Sequence, residues 1–525
     1  MMAMLDSSGG VLAELLSFWK ATQSFIDGDI LLPVGIDDQS RKHHRLSDDD
    51  VQFFKDRAIE LADMIRSCMV AFFQEPPVED VSSLYTPLPN TPVSATTPPE
   101  DAEFPPPQHA LPPLPRMKGQ ESEEVYAFFP PGANSVGAVH YLGKVMVLLG
   151  KAAASMAEVF SGLGKPGLQD DLRSMLSTAR ERTVKAVLAA WLEDAQNCKS
   201  MEDWTRAIDN RGVTKMPGYF LAFEKEVIGG MQSIVYLDKV RSGETAVIPP
   251  PPQKFLTSVR AQFVRTLYKA LQGMVENAQK PPEAAEEDSG ESGGPLLATT
   301  AATLTAHSID SRDKNTRMLL TLSNLQLLRA EIVPELIGQF EISFSVKLTD
   351  ESKTIRDALG QIDDQLFGEY TKPLAKAIAA TIRSGVLSPG WPPPPGGLAT
   401  DVKPYVYDAL LAMVDVHAQV TITAPLLVQQ VLSYLLEQLS RELLESFRQR
   451  KSFTLGELLQ ATLDVEFVNQ TLSQFNTPKS SEWQQMVYVE LDRGSDSEAR
   501  QGLQKQLGEM KRILGSLRRH SRAEL

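Results

Sequence analysis

The sequence has little cysteine and little basic charge. Its 525 residues include two cysteines, Cys68 and Cys198, which are too few for a disulfide framework or a four-cysteine zinc site. We expect both to be reduced thiols in the core of a cytoplasmic protein. The 52 basic and 67 acidic side chains leave a formal net charge of −15. This charge repels a phosphate backbone, so we do not expect nucleic acid as a partner.

Long apolar runs and targeting signals are also missing. The most apolar stretch, residues 133–164, is interrupted by Lys144, Lys151 and Glu158, and a transmembrane helix needs about 20 predominantly apolar residues. The first residues, MMAMLDSSGG, lack the basic and apolar regions of a signal peptide. The sequence therefore predicts neither a membrane span nor secretion.

The residues that carry catalysis do not occur together. Gly162–Gly167 matches the GxGxxG pattern, but an Ala-rich helical stretch precedes it instead of a strand, so we interpret it as a turn between helices. His43 and His44 lie in a basic run, and His140 and His417 each stand alone in helical pattern, typical of interface or core histidines. We predict no enzyme, no catalytic residues, no metal ion and no cofactor.

Helical periodicity is what the sequence has in abundance. Apolar residues recur every three or four positions from Val11 to Asp27, and Ser47 before three aspartates predicts the start of a helix that reaches Gln74. The apolar face of that second helix is predicted to comprise Val51, Phe54, Ala58, Leu61, Ile65, Cys68, Met69 and Phe72. Period-two alternation is nearly absent, which excludes a large sheet.

The later helices contain two prolines that interior helical positions tolerate poorly. Pro334 is expected to kink or split the helical pattern of residues 317–346, and Pro373 to break that of residues 354–383. Further helices are predicted over residues 405–421, 424–449, 455–475, 481–491 and 496–519. The clearest apolar seam joins Val428, Leu432, Leu435, Leu439, Leu443 and Phe447.

Two stretches of different composition divide these helices. We predict N-terminal helices in residues 1–75, a Pro-rich disordered insertion in 76–132, a middle helical bundle in 133–280, an acidic flexible linker in 281–308 and C-terminal bundles in 309–525. Since helices with one apolar stripe must bury it on neighbours, the predicted fold is all-α, an elongated rod of stacked antiparallel helical bundles.

The Pro-rich insertion contains two kinds of candidate site. Pro112, Pro113, Leu114 and Pro115 resemble the polyproline ligands that dock in aromatic grooves, although an inert linker has the same composition. Thr86, Thr91 and Thr97 each precede a proline in an accessible stretch and are candidate phosphorylation sites.

Several stretches resemble the fungal Sec5 family of exocyst subunits. They include VLAAWLEDA at residues 187–195, CKSMEDW at 198–204, MPGYF at 216–220 and LTDESKTIR at 348–356, together with residues 319–347 and 405–447. The resemblance spans nearly all of the predicted ordered sequence, and it consists of packing residues. It implies a helical rod of the type found in multisubunit tethering complexes.

The resemblance also implies a function. Such a scaffold acts with other exocyst subunits to hold secretory vesicles at the plasma membrane before SNARE-driven fusion. Its location would be cytoplasmic with peripheral recruitment to sites of polarised secretion, and Rab or Rho family GTPases or SNARE regulators would be indirect partners. The family's N-terminal assembly helices have no counterpart here, which we expect to reflect a fragment, a misplaced start or a shortened form.

Two further expectations concern binding. Trp204, Tyr219 and Phe220 fall in predicted short connections and are candidate partner-binding residues, although internal packing would also explain them. The alternative function is that of a regulatory helical adaptor, which would bind a small GTPase or a signalling module through the Pro-rich segment.

Overall fold

The chain is mainly helical in the part that the structure, a computed structural model, describes. These residues are 5, 10–27, 29, 46–74, 128–129, 133–162, 167–237, 248, 250–280, 312–394, 397 and 399–523. Within them no β-strand forms, and the two isolated β-bridges join Arg206 to Thr214 and Phe453 to Ser495. The predicted all-α class is confirmed.

The helices follow one another along the chain with mostly short connections. In the first part of the chain they are α1 (Val11–Ile26), α2 (Asp48–Gln74), α3 (Ser135–Gly162), α4 (Gly167–Asn197), α5 (Met216–Tyr236) and α6 (Gln253–Gln279). In the second part they are α7 (Lys314–Leu327), α8 (Val333–Phe344), α9 (Thr349–Val386), α10 (Pro404–Thr423), α11 (Val428–Arg448), α12 (Leu455–Thr471), α13 (Pro478–Arg493) and α14 (Ser497–Ala523).

Several helices begin at side chains that satisfy free backbone N–H groups. The Ser47 Oγ accepts a hydrogen bond of 3.2 Å from the Asp50 N–H, as predicted. Asp313 accepts from two amides at the start of α7. Thr454 and Glu457 form a reciprocal capping box at the start of α12. Each such cap stabilises a helix by about 1 kcal/mol.

The described chain forms two compact units. Unit 1 comprises Met1–Asn197, Leu221–Ala270 and Leu336–Leu348, and unit 2 comprises Cys198–Phe220, Leu271–Glu335 and Thr349–Leu525. The division of the sequence into three helical blocks and two linkers stays a prediction.

The core of unit 1 is built on the antiparallel pair α3 and α4. The Ser135 N–H and hydroxyl, at the start of α3, both donate to Asp194 Oδ2 near the end of α4, each at 2.6 Å. Helix α2 packs on α4, and α1 packs on α3. An aromatic row continues the core, with the rings of Phe263 and Phe340 stacked at a centroid distance of 4.6 Å.

The predicted apolar face of α2 is right at Ala58, Ile65 and Met69, which are buried, and wrong at Phe54, Leu61 and Cys68. The buried residues are Ala58, Ala62, Ile65, Met69 and Phe73, whereas Phe54, Leu61 and Cys68 are exposed. Ala58 and Ala62 line a small cavity with Leu12, Leu15, Leu16 and Trp19 of α1, and their small side chains leave room for these larger ones. Cys198 is buried as expected, but Cys68 is not a core thiol.

Helix α3 includes a segment that is long and apolar enough to cross a membrane. Its residues Ser135–Glu158 have a mean hydropathy of 1.2, and half of the apolar window is buried inside the structure. The buried side chains include Leu142, Met146, Leu149 and Ala153. This pattern is typical of the central helix of a bundle, which the packing of α3 on α4 explains.

Unit 2 is organised around α11. This helix packs against α9 on one side and α13 on another, and the predicted seam residues Leu432, Leu435, Leu439, Leu443 and Phe447 are all buried. Helix α10 packs on α9, and α14 packs on α12. The seam therefore forms the centre of the unit.

The two interior prolines behave differently. The predicted break at Pro373 is wrong, because α9 continues through it from Thr349 to Val386. A proline in a helix interior costs about 3 kcal/mol, and burial of Leu366, Tyr370 and Ile378 on both sides of it offsets that cost. Before Pro334 the helix does change, through a π-helical turn over Leu328–Ile332.

Candidate functional site

The three predicted partner-binding residues have different environments. Trp204 lies in a connection as predicted, whereas Tyr219 and Phe220 lie in the first turns of α5 and not in a connection. Tyr219 is 47 % exposed, whereas its neighbour Phe220 is 1 % exposed and lies in the core. Trp204 is half-buried and has a φ of 57°, an uncommon conformation for a bulky residue. Its N–H donates to Glu202 Oε1 at 2.8 Å, which helps to hold this conformation. Tyr219 is therefore the most exposed of the three residues.

A buried polar cluster holds the connection between α4 and α5 on α7. Glu202 Oε2 accepts from the Thr214 hydroxyl at 2.7 Å and from Asn324 Nδ2 at 3.2 Å. The Asn324 side-chain oxygen accepts from the Thr214 N–H at 2.9 Å. Burial raises the pKa of Glu202, and these hydrogen bonds oppose the rise. Because its polar groups bond one another, the connection is a fixed part of unit 2.

The same connection reaches the end of α10. Arg206 Nη2 donates to the Ile422 carbonyl at 2.5 Å, and Nη1 donates to the Arg211 carbonyl. A cation near the carboxyl end of a helix is favoured by the helix dipole. Burial lowers the pKa of Arg206. Next to these contacts, Ile208 is 88 % exposed.

Helix α10 exposes a second apolar side. Its inner side buries Ala409, Met413, Val416 and Val420. The outer side exposes Tyr407, Leu411, Val414, Ala418 and Ile422, and Leu426 in the following turn continues it. We call these six residues the α10 outer face. The sequence pattern does not reveal this face, because a helix that is apolar on both sides shows no amphipathic pattern.

A buried carboxylate fixes the loop before α10. Asp464, in α12, accepts from the Trp391 Nε1 at 3.3 Å, the Lys403 N–H at 3.0 Å, the Tyr405 hydroxyl at 2.9 Å and Gln460 Nε2 at 2.8 Å. Burial raises the pKa of Asp464 to about 6 although all four donors act against the rise. This carboxylate joins the loop, α10 and α12 at one point.

Arg450 makes further contacts with the same loop and with the helices beside it. Its guanidinium carbon lies 4.3 Å from the centre of the Trp391 ring. It also donates to the Val386 carbonyl at 2.8 and 3.0 Å and to Glu457 at 3.1 Å. The end of α9 is thereby fixed to the start of α12.

Unit 1 contains a buried acid of its own. The Glu224 side chain is fully buried, and its Oε1 accepts from the Trp191 Nε1 at 3.3 Å. Its Oε2 has no hydrogen-bond partner. Burial raises the pKa of Glu224 to about 8, so the carboxyl is neutral at pH 7. It joins α5 to α4 and has no titratable partner with which to share a proton.

The last helices enclose a groove of about 370 Å³. It lies between α12, α13 and α14, and its apolar walls include Leu458, Leu491, Leu503, Leu507 and Met510. On its margin the Tyr488 hydroxyl donates to Glu466 at 2.8 Å, and burial raises the pKa of Tyr488. Its lining also includes the charged residues Asp492, Arg500 and Lys511.

The remaining predicted residues contribute no catalytic arrangement. His140 is exposed rather than in the core, with Nε2 3.5 Å from Glu226 Oε2, and His417 packs against Phe475. Among the described residues, no group of three or more His, Cys, Asp or Glu side chains is placed to hold a metal ion.

Some predicted residues lie outside the described part of the chain. They are His43 and His44, the candidate polyproline ligand Pro112, Pro113, Leu114 and Pro115, and the candidate phosphorylation sites Thr86, Thr91 and Thr97.

Comparison with known proteins gives a consistent result. A family model described as exocyst complex component Sec5 matches residues 3–525. The human exocyst complex component 2 is 24 % identical over 318 residues, which are 60 % of this chain and 33 % of that protein. The mouse protein of the same description is 23 % identical over 314 residues, 59 % of this chain and 32 % of that protein. The matches thus span about a third of these relatives, and no solved structure matches.

Proposed function

Because the chain belongs to the Sec5 family of exocyst components, we propose that it is a non-enzymatic scaffold subunit of the exocyst. In this role it tethers secretory vesicles to the plasma membrane before SNARE-mediated fusion. The match of the family model to residues 3–525 is the observation that carries the proposal.

The geometry suits a protein that holds partners in place. The connections between helices are fixed by buried polar contacts, those of Glu202 with Asn324 and of Asp464 with Trp391. Such contacts keep surfaces preorganised, which lowers the entropy lost on binding. Outward-facing apolar residues, such as those of the α10 outer face, offer contact area to other chains.

The proposed partners are the other exocyst subunits. Rab or Rho family GTPases and SNARE regulators are proposed as indirect partners, reached through the assembled complex. We place the protein in the cytoplasm, with peripheral recruitment to plasma membrane sites of polarised secretion. The net charge of −15 disfavours direct attraction to anionic lipid headgroups.

Native purification tests the proposal. The full chain, tagged at one end and expressed at its natural level, is purified at physiological salt, and its partners are identified by mass spectrometry. We expect the other exocyst subunits in stoichiometric amounts. Their absence from a preparation in which the tagged chain is intact and folded would contradict the proposal.

Deletion of residues 76–132 separates the scaffold from the adaptor. A scaffold held by its helical units keeps the exocyst subunits after the deletion, whereas an adaptor that binds through Pro112, Pro113, Leu114 and Pro115 loses its partners. A matched control replaces the segment with a Gly/Ser linker of the same length, which preserves the distance between the flanking helices.

Individual residues are tested in the same preparation. We propose Tyr219 as a partner contact and expect Tyr219→Ala to reduce the recovery of one subunit without lowering the thermal midpoint. For Trp204 and Phe220, replacement by alanine also removes internal packing, so recovery is compared at equal folded protein. Combined alanine replacement of Thr86, Thr91 and Thr97 tests whether phosphorylation regulates assembly, and unchanged recovery and growth would argue against it.

A further inference from the structure

The α10 outer face is an interaction surface whose occupant can be specified. We propose that it binds one amphipathic α-helix of another polypeptide, which carries lysine or arginine along one edge. This inference rests on the proposed function, because it assumes that the chain works within an assembly.

The spacing of the exposed residues favours a helix as the occupant. Positions 407, 411, 414, 418 and 422 are separated by four, three, four and four residues, the spacing of a seam between packed helices. With a rise of 1.5 Å per residue, this seam is about 22 Å long. A straight apolar strip of this length matches the side of a partner helix of four turns.

Most of the outer face takes little part in packing inside unit 2, and Tyr407, at its start, is the member whose ring contacts Phe467 and whose hydroxyl donates to Asp401 at 3.0 Å. Leu411, Val414 and Ile422 are 61, 56 and 75 % exposed, while the opposite side of α10 is buried on its neighbours. Monomeric soluble proteins rarely expose contiguous apolar patches larger than a few hundred Å² unless the patch has a function. Burial of this strip would gain hydrophobic free energy that folding has left unused.

The negative charge along one edge of the α10 outer face indicates a positively charged partner. Asp408 and Asp415 are exposed, seven residues apart, and each immediately follows a seam residue. No ion pair to either is found within the described residues. On the other edge His417 packs against Phe475, so that side is closed by the protein itself. A partner helix with basic residues seven apart would place them opposite the two aspartates.

The same charges disfavour two other occupants. An anionic membrane surface would be repelled by the two carboxylates beside the apolar strip. A second copy of the chain, related by a two-fold axis across the strip, would bring the aspartates of one copy against those of the other. A basic helix of a different polypeptide meets neither difficulty.

Site-specific crosslinking in the natively purified complex tests the proposal. The photoreactive substitution Leu411→p-benzoylphenylalanine places the crosslinker in the middle of the strip, and Lys376→p-benzoylphenylalanine, on the exposed side of α9, serves as the control. We expect Leu411 to link to a single segment of another subunit, with apolar residues at three- and four-residue spacing and Lys or Arg seven residues apart. The control position should not link to that segment.

Several outcomes would overturn the proposal. They are crosslinks only within this chain, to lipid or to a segment without basic residues, or no crosslink, in a complex that contains the other exocyst subunits. Absence of those subunits contradicts the proposed function instead, so the two failures are distinguishable.

Charge reversal provides a second, independent test. The double variant Asp408→Lys/Asp415→Lys should lower recovery of the crosslinked subunit at least tenfold, and exchanging the partner's basic residues for aspartate should restore it. The control Asp357→Lys/Asp364→Lys reverses two exposed aspartates that are also seven residues apart, on α9, and should leave recovery unchanged. Equal recovery from both double variants, or no restoration by the exchange, would contradict the proposal.

Discussion

Replacing Glu224 with glutamine should remove a pH dependence from the stability of unit 1. The carboxyl is fully buried, with one hydrogen bond from Trp191 and an Oε2 that has none. Burial raises its pKa from 4.5 to about 8 in the folded protein. In the unfolded chain the side chain is hydrated and loses its proton near pH 4.5. The folded state therefore binds one more proton than the unfolded state between these two pH values.

The sign and size of the effect follow from this difference. Since the folded state holds the extra proton, the free energy of unfolding falls as pH rises from about 4.5 to about 8. Each pH unit within this window lowers it by at most about 1.4 kcal/mol, so the whole window corresponds to about 5 kcal/mol. Glutamine keeps an oxygen that accepts from Trp191 and has no proton to release, so the slope is lost.

Urea unfolding followed by far-ultraviolet circular dichroism at a series of pH values measures the effect. Between pH 6.5 and 7.5 we expect the wild-type protein to lose about 1 kcal/mol relative to Glu224→Gln. Asp464, whose pKa is about 6, contributes equally to both proteins and cancels in the difference. Glu193→Gln removes an exposed carboxyl from α4 and should follow the wild-type curve.

One result would refute this reasoning. If Glu224→Gln and the wild-type protein lose stability in parallel from pH 5 to pH 8, the folded state does not hold the extra proton. The carboxyl would then be ionised, with water or a cation reaching Oε2, and the close packing of α5 on α4 would be wrong.

Three further substitutions test the packing of each unit by urea unfolding. Gly230→Ala would place a methyl carbon 2.4 Å from Val139 Cβ and should lower the free energy of unfolding by about 1–3 kcal/mol. The adjacent control Gly229→Ala, whose methyl group would have nothing within 4 Å, should be neutral or slightly stabilising. Equal effects of the two substitutions would contradict the close approach of α5 to α3 at Gly230. Pro373→Ala should stabilise α9 by roughly 1–3 kcal/mol, because a helix interior gains a backbone hydrogen bond, and a loss of stability would show that the proline is needed. Asp464→Ala removes the acceptor of Trp391, the Lys403 N–H and Tyr405, while Gln460 keeps the Asp401 carbonyl as an acceptor. The substitution should cost more than about 3 kcal/mol, so a change below about 1 kcal/mol would contradict the role of Asp464.

Local features of the sequence predict the helices well. The first helix is predicted over residues 11–27 and observed over Val11–Ile26, and residues 405–421 correspond to the observed Pro404–Thr423. Ser47 begins α2 as expected. Periodicity and caps act within a few residues, so they are readable from one sequence.

Features that depend on distant contacts are not predictable in the same way. The path of α9 through Pro373 depends on burial against α10 and α11, which outweighs the local preference. The side of α2 that faces the core depends on the two helices that pack against it, α1 and α4. The donors to Asp464 include Trp391, which is 73 residues away along the chain. Neither buried acid is marked by the local sequence, because Glu224 is followed by Lys225 and Glu226, and Asp464 lies two residues before Glu466.

The candidate binding residues show the same limit. The sequence favoured Trp204, Tyr219 and Phe220 because aromatic residues in short connections are frequent anchors. Phe220 is buried and its neighbour Tyr219 is exposed, and no local sequence pattern distinguishes the two. The α10 outer face was missed for the opposite reason, since its apolar residues resemble core positions until the neighbouring helices are placed.

Acute depletion of the protein, followed by electron microscopy of the cells that express it, tests the central claim most directly. If the chain is a vesicle-tethering subunit of the exocyst, secretory vesicles should accumulate near sites of polarised growth within minutes, before growth itself slows, and re-expression of the full chain should clear them. Unchanged vesicle numbers and undiminished secretion after complete depletion would contradict the account.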